Sequence, residues 1–123
     1  MISAMLNVTT SVGPTHKRVS KPRLSAMVAG LRRGEHLVVE RADDQRSGDW
    51  YVQVWLREDN TFQLEFREGV AAEHYGTRTV SREKVAQALV DWAKGDAGWK
   101  APFQWENIGS MFAEDSESPT SPR

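Results

Sequence analysis

Three histidines, His16, His36 and His74, are the side chains of this chain best suited to moving a proton near neutral pH. None sits at metal-ligand spacing. There is no His-x-x-x-His or Glu-x-x-His pattern, and the chain has no cysteine to supply a thiolate. Glu73 and His74 are adjacent, but neighbours on an extended strand point to opposite faces. Glu65 is the carboxylate that could meet His74 across a sheet, given the right strand phase. Such a pair does general acid–base work only within hydrogen-bond reach or one water apart, and most such pairs are structural. Gly-x-Ser-x-Gly and phosphate-loop patterns are missing. The expectation is no catalytic residue, no metal ligand and no cofactor.

The elements that would carry Glu65 and His74 are strands. Trp50 to Arg57 and Thr61 to Glu68 alternate strictly. Trp50, Val52, Val54 and Leu56 point one way, and Tyr51, Gln53, Trp55 and Arg57 the other. In the second run Phe62, Leu64 and Phe66 oppose Gln63, Glu65 and Arg67. A period of two with one apolar side means a half-buried antiparallel hairpin. Placing all apolar residues on one face sets Leu56 opposite Phe62, Val54 opposite Leu64 and Val52 opposite Phe66, since a one-residue slip would expose one set. The loop is then Glu58-Asp59-Asn60, with Asn60 suited to the left-handed conformation. The other face pairs Trp55 with Gln63, Gln53 with Glu65 and Tyr51 with Arg67. Direct cross-strand neighbours of this kind contribute roughly 0.2–1 kcal/mol each.

His74 to Val80 reads as a further strand. Its phase is open: reversed, Tyr75 would join the polar face, while the cost of burying Arg78 favours Tyr75, Thr77 and Thr79 toward the core. His74 and Arg78 then join the polar face. Leu37 to Glu40 reads as a short strand ahead of an Asp43-to-Gly48 loop. Two helices flank the strands. The first has Ser20 as N-cap, Pro22 in its first turn and a stripe of Leu24, Met27, Val28 and Leu31. Arg32, Arg33 and Gly34 suit its C-terminus. The second has Ser81 as cap, a Val80–Val85 staple, a stripe of Val85, Ala88, Leu89 and Trp92, and Gly95 as stop. A tailpiece with Trp99, Phe103 and Trp105 packs as an aromatic belt, and Pro102 keeps it from being one helix.

The expected fold is therefore α+β: a four-stranded antiparallel meander with two helices packed on one face, in the order α-β-β-β-β-α, plus the aromatic C-terminal tailpiece. The expected organisation is a disordered basic arm over 1–19, one domain over 20–112 and a disordered acidic tail over 113–123. Residues 1–34 carry six basic side chains and no acid, while the remainder carries ten basic and seventeen acidic, a balance of −7. A basic arm can touch nucleic acid, but an acidic body argues against a nucleic-acid-binding face. No apolar run approaches a membrane span, and no secretory signal is recognisable, so no membrane partner is expected. Absence of cysteine fits a cytoplasmic protein.

Gln63-Leu64-Glu65-Phe66-Arg67-Glu68-Gly69, then Glu73-His74-Tyr75, then Gly98-Trp99 through Phe103-Gln104-Trp105 to Ile108, resembles small bacterial proteins of no assigned activity. The resemblance spans roughly residues 49–108 and implies no activity. In size and composition the chain also looks like bacterial immunity proteins, which are catalytically inert and bind a toxin. The functional expectation is a non-catalytic module that binds a protein partner or a second copy of itself. Its contact residues would be Tyr51, Gln53, Trp55, Gln63, Glu65, Arg67, His74 and Arg78 on the polar-aromatic sheet face. Toxin immunity is one form of that reading, and nucleic-acid binding through the arm is the reading from another class. A self-dimer would bring Trp55 of each copy together near a twofold axis.

Overall fold

The computed structural model describes residues 6–42 and 46–112. Seven strands form one antiparallel sheet: β1 (Leu6–Thr10), β2 (His16–Val19), β3 (His36–Arg41), β4 (Asp49–Leu56), β5 (Phe62–Gly69), β6 (His74–Thr79) and β7 (Glu106–Asn107). Their order across the sheet is β2-β1-β3-β4-β5-β6-β7. Helices α1 (Lys21–Ala29) and α2 (Arg82–Lys94) pack against one another on one face. A third α-helical stretch, a single turn over 109–112, follows β7.

This corrects the four-stranded meander with two helices. The α+β class stands, but the sheet gains strands at both ends. The stretch expected as a disordered arm supplies β1 and β2 from residue 6 onward. Leu6 and Val8 alternate inward and are fully buried, and Val19 joins them. Their pairing runs Leu6↔Arg41 and Val8↔Val39, so β1 extends the apolar side of β3. The β1–β2 register shifts by one residue, and Arg18, at φ 58, takes up the extra residue as a bulge. Residues 1–5, the loop segment 43–45 and the tail 113–123 lie outside the described residues.

The central hairpin follows its alternation. Leu56↔Phe62, Val54↔Leu64 and Val52↔Phe66 pair on the core side, and Trp55↔Gln63, Gln53↔Glu65 and Tyr51↔Arg67 on the other. Arg57 N–H donates to the Thr61 carbonyl at 2.8 Å, and Asn60 closes the loop at φ 69. In β6, Tyr75 opposes Phe66 and His74 opposes Arg67, so Tyr75, Thr77 and Thr79 share the core side. The core is one cluster built from these apolar faces, Leu24 and Val28 of α1, and Val85, Ala88, Leu89 and Trp92 of α2.

Both helices are capped at the N-terminus by the expected serines. Ser20 Oγ accepts from Arg23 N–H at 3.2 Å, and Ser81 Oγ accepts from Lys84 N–H at 3.1 Å. Gly95 ends α2 in the left-handed region at φ 78. Two details differ. Helix α1 stops at Ala29 with Gly30 as its cap, leaving Leu31 buried beyond the helix end. The gap at that end is filled by Arg82, whose Nη1 donates to the carbonyls of Val28, Ala29 and Leu31 at 2.7, 3.1 and 3.1 Å. The expected Val80–Val85 staple does not form, since Val80 is 78% exposed.

The aromatic tailpiece packs on the core side around Phe66. Trp99 and Trp105 meet its ring edge-on at 5.0 and 4.8 Å, and Tyr75 stacks on it at 5.0 Å. The chain then pairs beside β6 as β7 and crosses to the opposite face of the sheet. There the Ile108 N–H donates to the His74 carbonyl at 2.9 Å.

Candidate functional site

The face of β4, β5 and β6 away from the helices carries all eight of the side chains expected there, from Tyr51 to Arg78. They do not form the uniformly open surface that alternation suggests. Three of them, Glu65, Arg67 and His74, are drawn into a network beneath the surface. His74 is 1% exposed and Glu65 7%. The strand phase makes this meeting possible, because Arg67 faces His74 directly and Glu65 is two residues along β5 on the same face.

The direction of every hydrogen bond in the network follows from its ends. A guanidinium can only donate, so Arg67 Nε–H, 3.0 Å from His74 Nδ1, makes that nitrogen an acceptor. The ring proton therefore resides on Nε2, which donates to Glu65 Oε1 at 2.8 Å. Glu65 Oε2 accepts from the Gln63 amide nitrogen. Gln63 Oε1 in turn accepts from Arg57 Nη1 at 2.7 Å. Two donor chains, each starting at a guanidinium, thus converge on one carboxylate. Chains of this kind reinforce each other in a low-dielectric setting, and charge-assisted bonds at the ends are the strong ones. Among the described residues no buried side-chain nitrogen or oxygen is left without a partner.

Rings close over the network. Phe112, from the turn over 109–112, lies 4.2 Å from the His74 ring, and Tyr51 meets the same ring edge-on at 5.9 Å. The Arg67 guanidinium lies between Phe112 and Tyr51, at 5.2 and 5.8 Å from their centroids. Burial pushes the Tyr51 phenol above its ordinary value, and the nearby Arg67 charge works against that.

The remaining expected residues stay nearer solvent. Trp55 is partly exposed, with the Arg57 guanidinium 4.4 Å above its ring. It lies opposite His36 of β3 and Gln63 of β5. Gln53 is half-buried between Val38 and Glu65, and Arg78 is exposed opposite Gln63. Arg78 is thus the exposed residue of the face, with Tyr51, Gln53, Trp55 and Gln63 half-buried beside the tied network.

Sequence reasoning missed the terminal turn. Ile108, Met111 and Phe112 fall at i, i+3 and i+4, a one-sided helical spacing that was available as a signal. Gly109 lets this turn dock, since a Cβ there would stand 2.4 Å from the Ala71 carbonyl oxygen. As arranged, the Glu65–His74 pair has no free ring nitrogen to offer a substrate. Among the described residues no group of three or more His, Asp or Glu could hold a metal ion. No described helix is long and apolar enough to cross a membrane. No protein-family model, curated protein or solved structure matches the chain.

Proposed function

We propose that the protein is a non-catalytic interaction module of the bacterial cytoplasm that binds a protein partner through the sheet face centred on Trp55. One observation carries this reading: the polar groups beneath the face are bound to each other rather than offered to a reactant. Both nitrogens of His74 and both oxygens of Glu65 have protein partners. A surface supported in this way is preordered, so little side-chain freedom is lost when a partner docks. What it presents outward is a tryptophan, a tyrosine and an arginine, the residue types that dominate binding hot spots.

Inhibition of a toxin by direct binding is the specific form of this function that the chain's size and composition suggest. The partner would then be a single basic protein. The test is binding of the native-host partner to wild type and to Trp55→Ala. Loss of the indole weakens binding by about 2 kcal/mol or more, roughly thirtyfold in dissociation constant, with the far-ultraviolet circular dichroism unchanged. A variant that binds as tightly as wild type, or that unfolds, rejects the reading.

A further inference from the structure

Where the chain passes from β2 into α1 it carries four cationic side chains, Lys17, Arg18, Lys21 and Arg23. Strand β2 is the outermost strand on its side of the described sheet. The two ends of the segment are tied, because Arg23 Nη2 donates to His16 Nδ1 at 3.1 Å. The first turn of α1 is thus folded back beside the start of β2, and the four charges gather on one edge of the molecule. Val19 and Leu24, both buried, anchor the segment from beneath. Lys17, Arg18 and Arg23 are exposed and Lys21 is half-buried.

Nothing in the described fold neutralises these charges. No Asp or Glu precedes Glu35 in the chain. Among the described residues none of the four makes an ion pair, whereas Arg67, Lys94 and Lys100 each meet a carboxylate, at 3.9, 3.8 and 3.2 Å. Lys17 and Arg18 have an ordinary role, since charge on an edge strand discourages sheet pairing. Lys21 and Arg23 lie on the helix, outside that role. They sit in the first turn of α1, which holds no acidic residue, and the helix dipole disfavours cations there. An external anion relieves both the mutual repulsion and the clash with the dipole.

We propose that this edge binds the phosphate backbone of a nucleic-acid duplex without reading its sequence. The composition of the surface selects that occupant. No Phe, Trp or Tyr precedes Trp50, so the edge has no ring on which unpaired bases could stack. The exposed large apolar side chains of the described residues, Val12, Val70, Val80 and Met111, all lie outside residues 16–23. The edge therefore lacks the apolar centre of a protein interface and the apolar anchor of a lipid-binding surface. Its ammonium and guanidinium groups are the ones that contact phosphate oxygens. Strand β2 stands three strands from β4, which carries Trp55, so the inference does not depend on the interaction-module reading.

The test is fluorescence anisotropy of a labelled duplex of about 20 base pairs, titrated with the full chain between about 50 and 200 mM salt. Four phosphate contacts give a slope of about −3.6 in log association constant against log salt, a loss of about a hundredfold over that range. Lys17→Gln/Arg18→Gln changes two exposed side chains, leaves the melting temperature in place and brings the slope to about half. Should the double variant melt lower, each single substitution carries the same test at about one quarter of the slope. A duplex of unrelated sequence binds within about threefold of the first, since backbone contacts carry no sequence information. No binding at the lower salt, a slope unchanged by the substitutions, or a preference of about tenfold or more between duplexes overturns the proposal. So does equally tight binding to phosphatidylserine vesicles, or displacement of the duplex by polyglutamate at equal charge, because either makes the occupant something other than a nucleic acid.

Discussion

His74 is held at both nitrogens, and that makes its tautomer a prediction. Long-range 1H–15N correlation spectra should show the proton on Nε2 and a bare Nδ1, because Arg67 can only donate to the latter. The opposite pattern would dissolve the convergence on Glu65. Removing the ring leaves a buried carboxylate and a guanidinium without their shared partner. His74→Ala should therefore cost about 3 kcal/mol in urea denaturation. Tyr51 gives a pH test. Burial raises its phenol in the folded state, so its contribution to stability is whole below about pH 10, the unfolded phenol's value. It is lost as pH rises through the higher folded value. Tyr51→Phe should accordingly flatten the fall in stability at alkaline pH, and an unchanged slope would contradict the assignment. The Glu65–His74 meeting was legible in part: alternation sets the face of Glu65, while the facing of His74 rested on the cost of burying Arg78. The Arg67 bond to Nδ1 was not legible. It depends on side-chain rotamers and on Phe112 closing over the ring, which no local pattern encodes.

At the scale of elements, the β1–β2 hairpin separates this fold from the meander that the sequence suggests. Leu6, Val8 and Val19 are its only buried anchors, set among Thr, Ser, Lys and Arg around a Gly13-Pro14 break. Three buried apolar residues in fourteen leave too faint a period to read, and their burial is supplied by β3, which lies far along the chain. The hairpin is nonetheless part of the core. Leu6→Ala should destabilise by about 3 kcal/mol, in the range of buried leucine truncations. Deleting residues 1–19 should abolish the cooperative thermal transition. A deletion variant with an unchanged melting temperature would restore the dispensable arm. The central hairpin and α2 were legible for the opposite reason. Each carries its full stripe, cap or turn residue within its own segment, so local and tertiary preferences agree.

The whole molecule is a two-layer sheet and helix pair whose C-terminal segment passes from one face to the other around β6. Phe103 and Trp105 pack on the helix side, and Phe112 on the polar side. The sheet ends in β2, which carries Lys17 and Arg18, and in the two-residue β7. Charged and very short edge strands discourage edge-to-edge pairing, so the proposed protein recognition would use the face rather than the rim. The most direct test of that claim is quantitative affinity capture from the native host, with wild type and Trp55→Ala as paired baits and purified partner then titrated against each. The account predicts one basic protein retained by wild type, bound about thirtyfold more weakly by a Trp55→Ala variant that melts at the wild-type temperature. Equal affinity of that partner for both baits would contradict it.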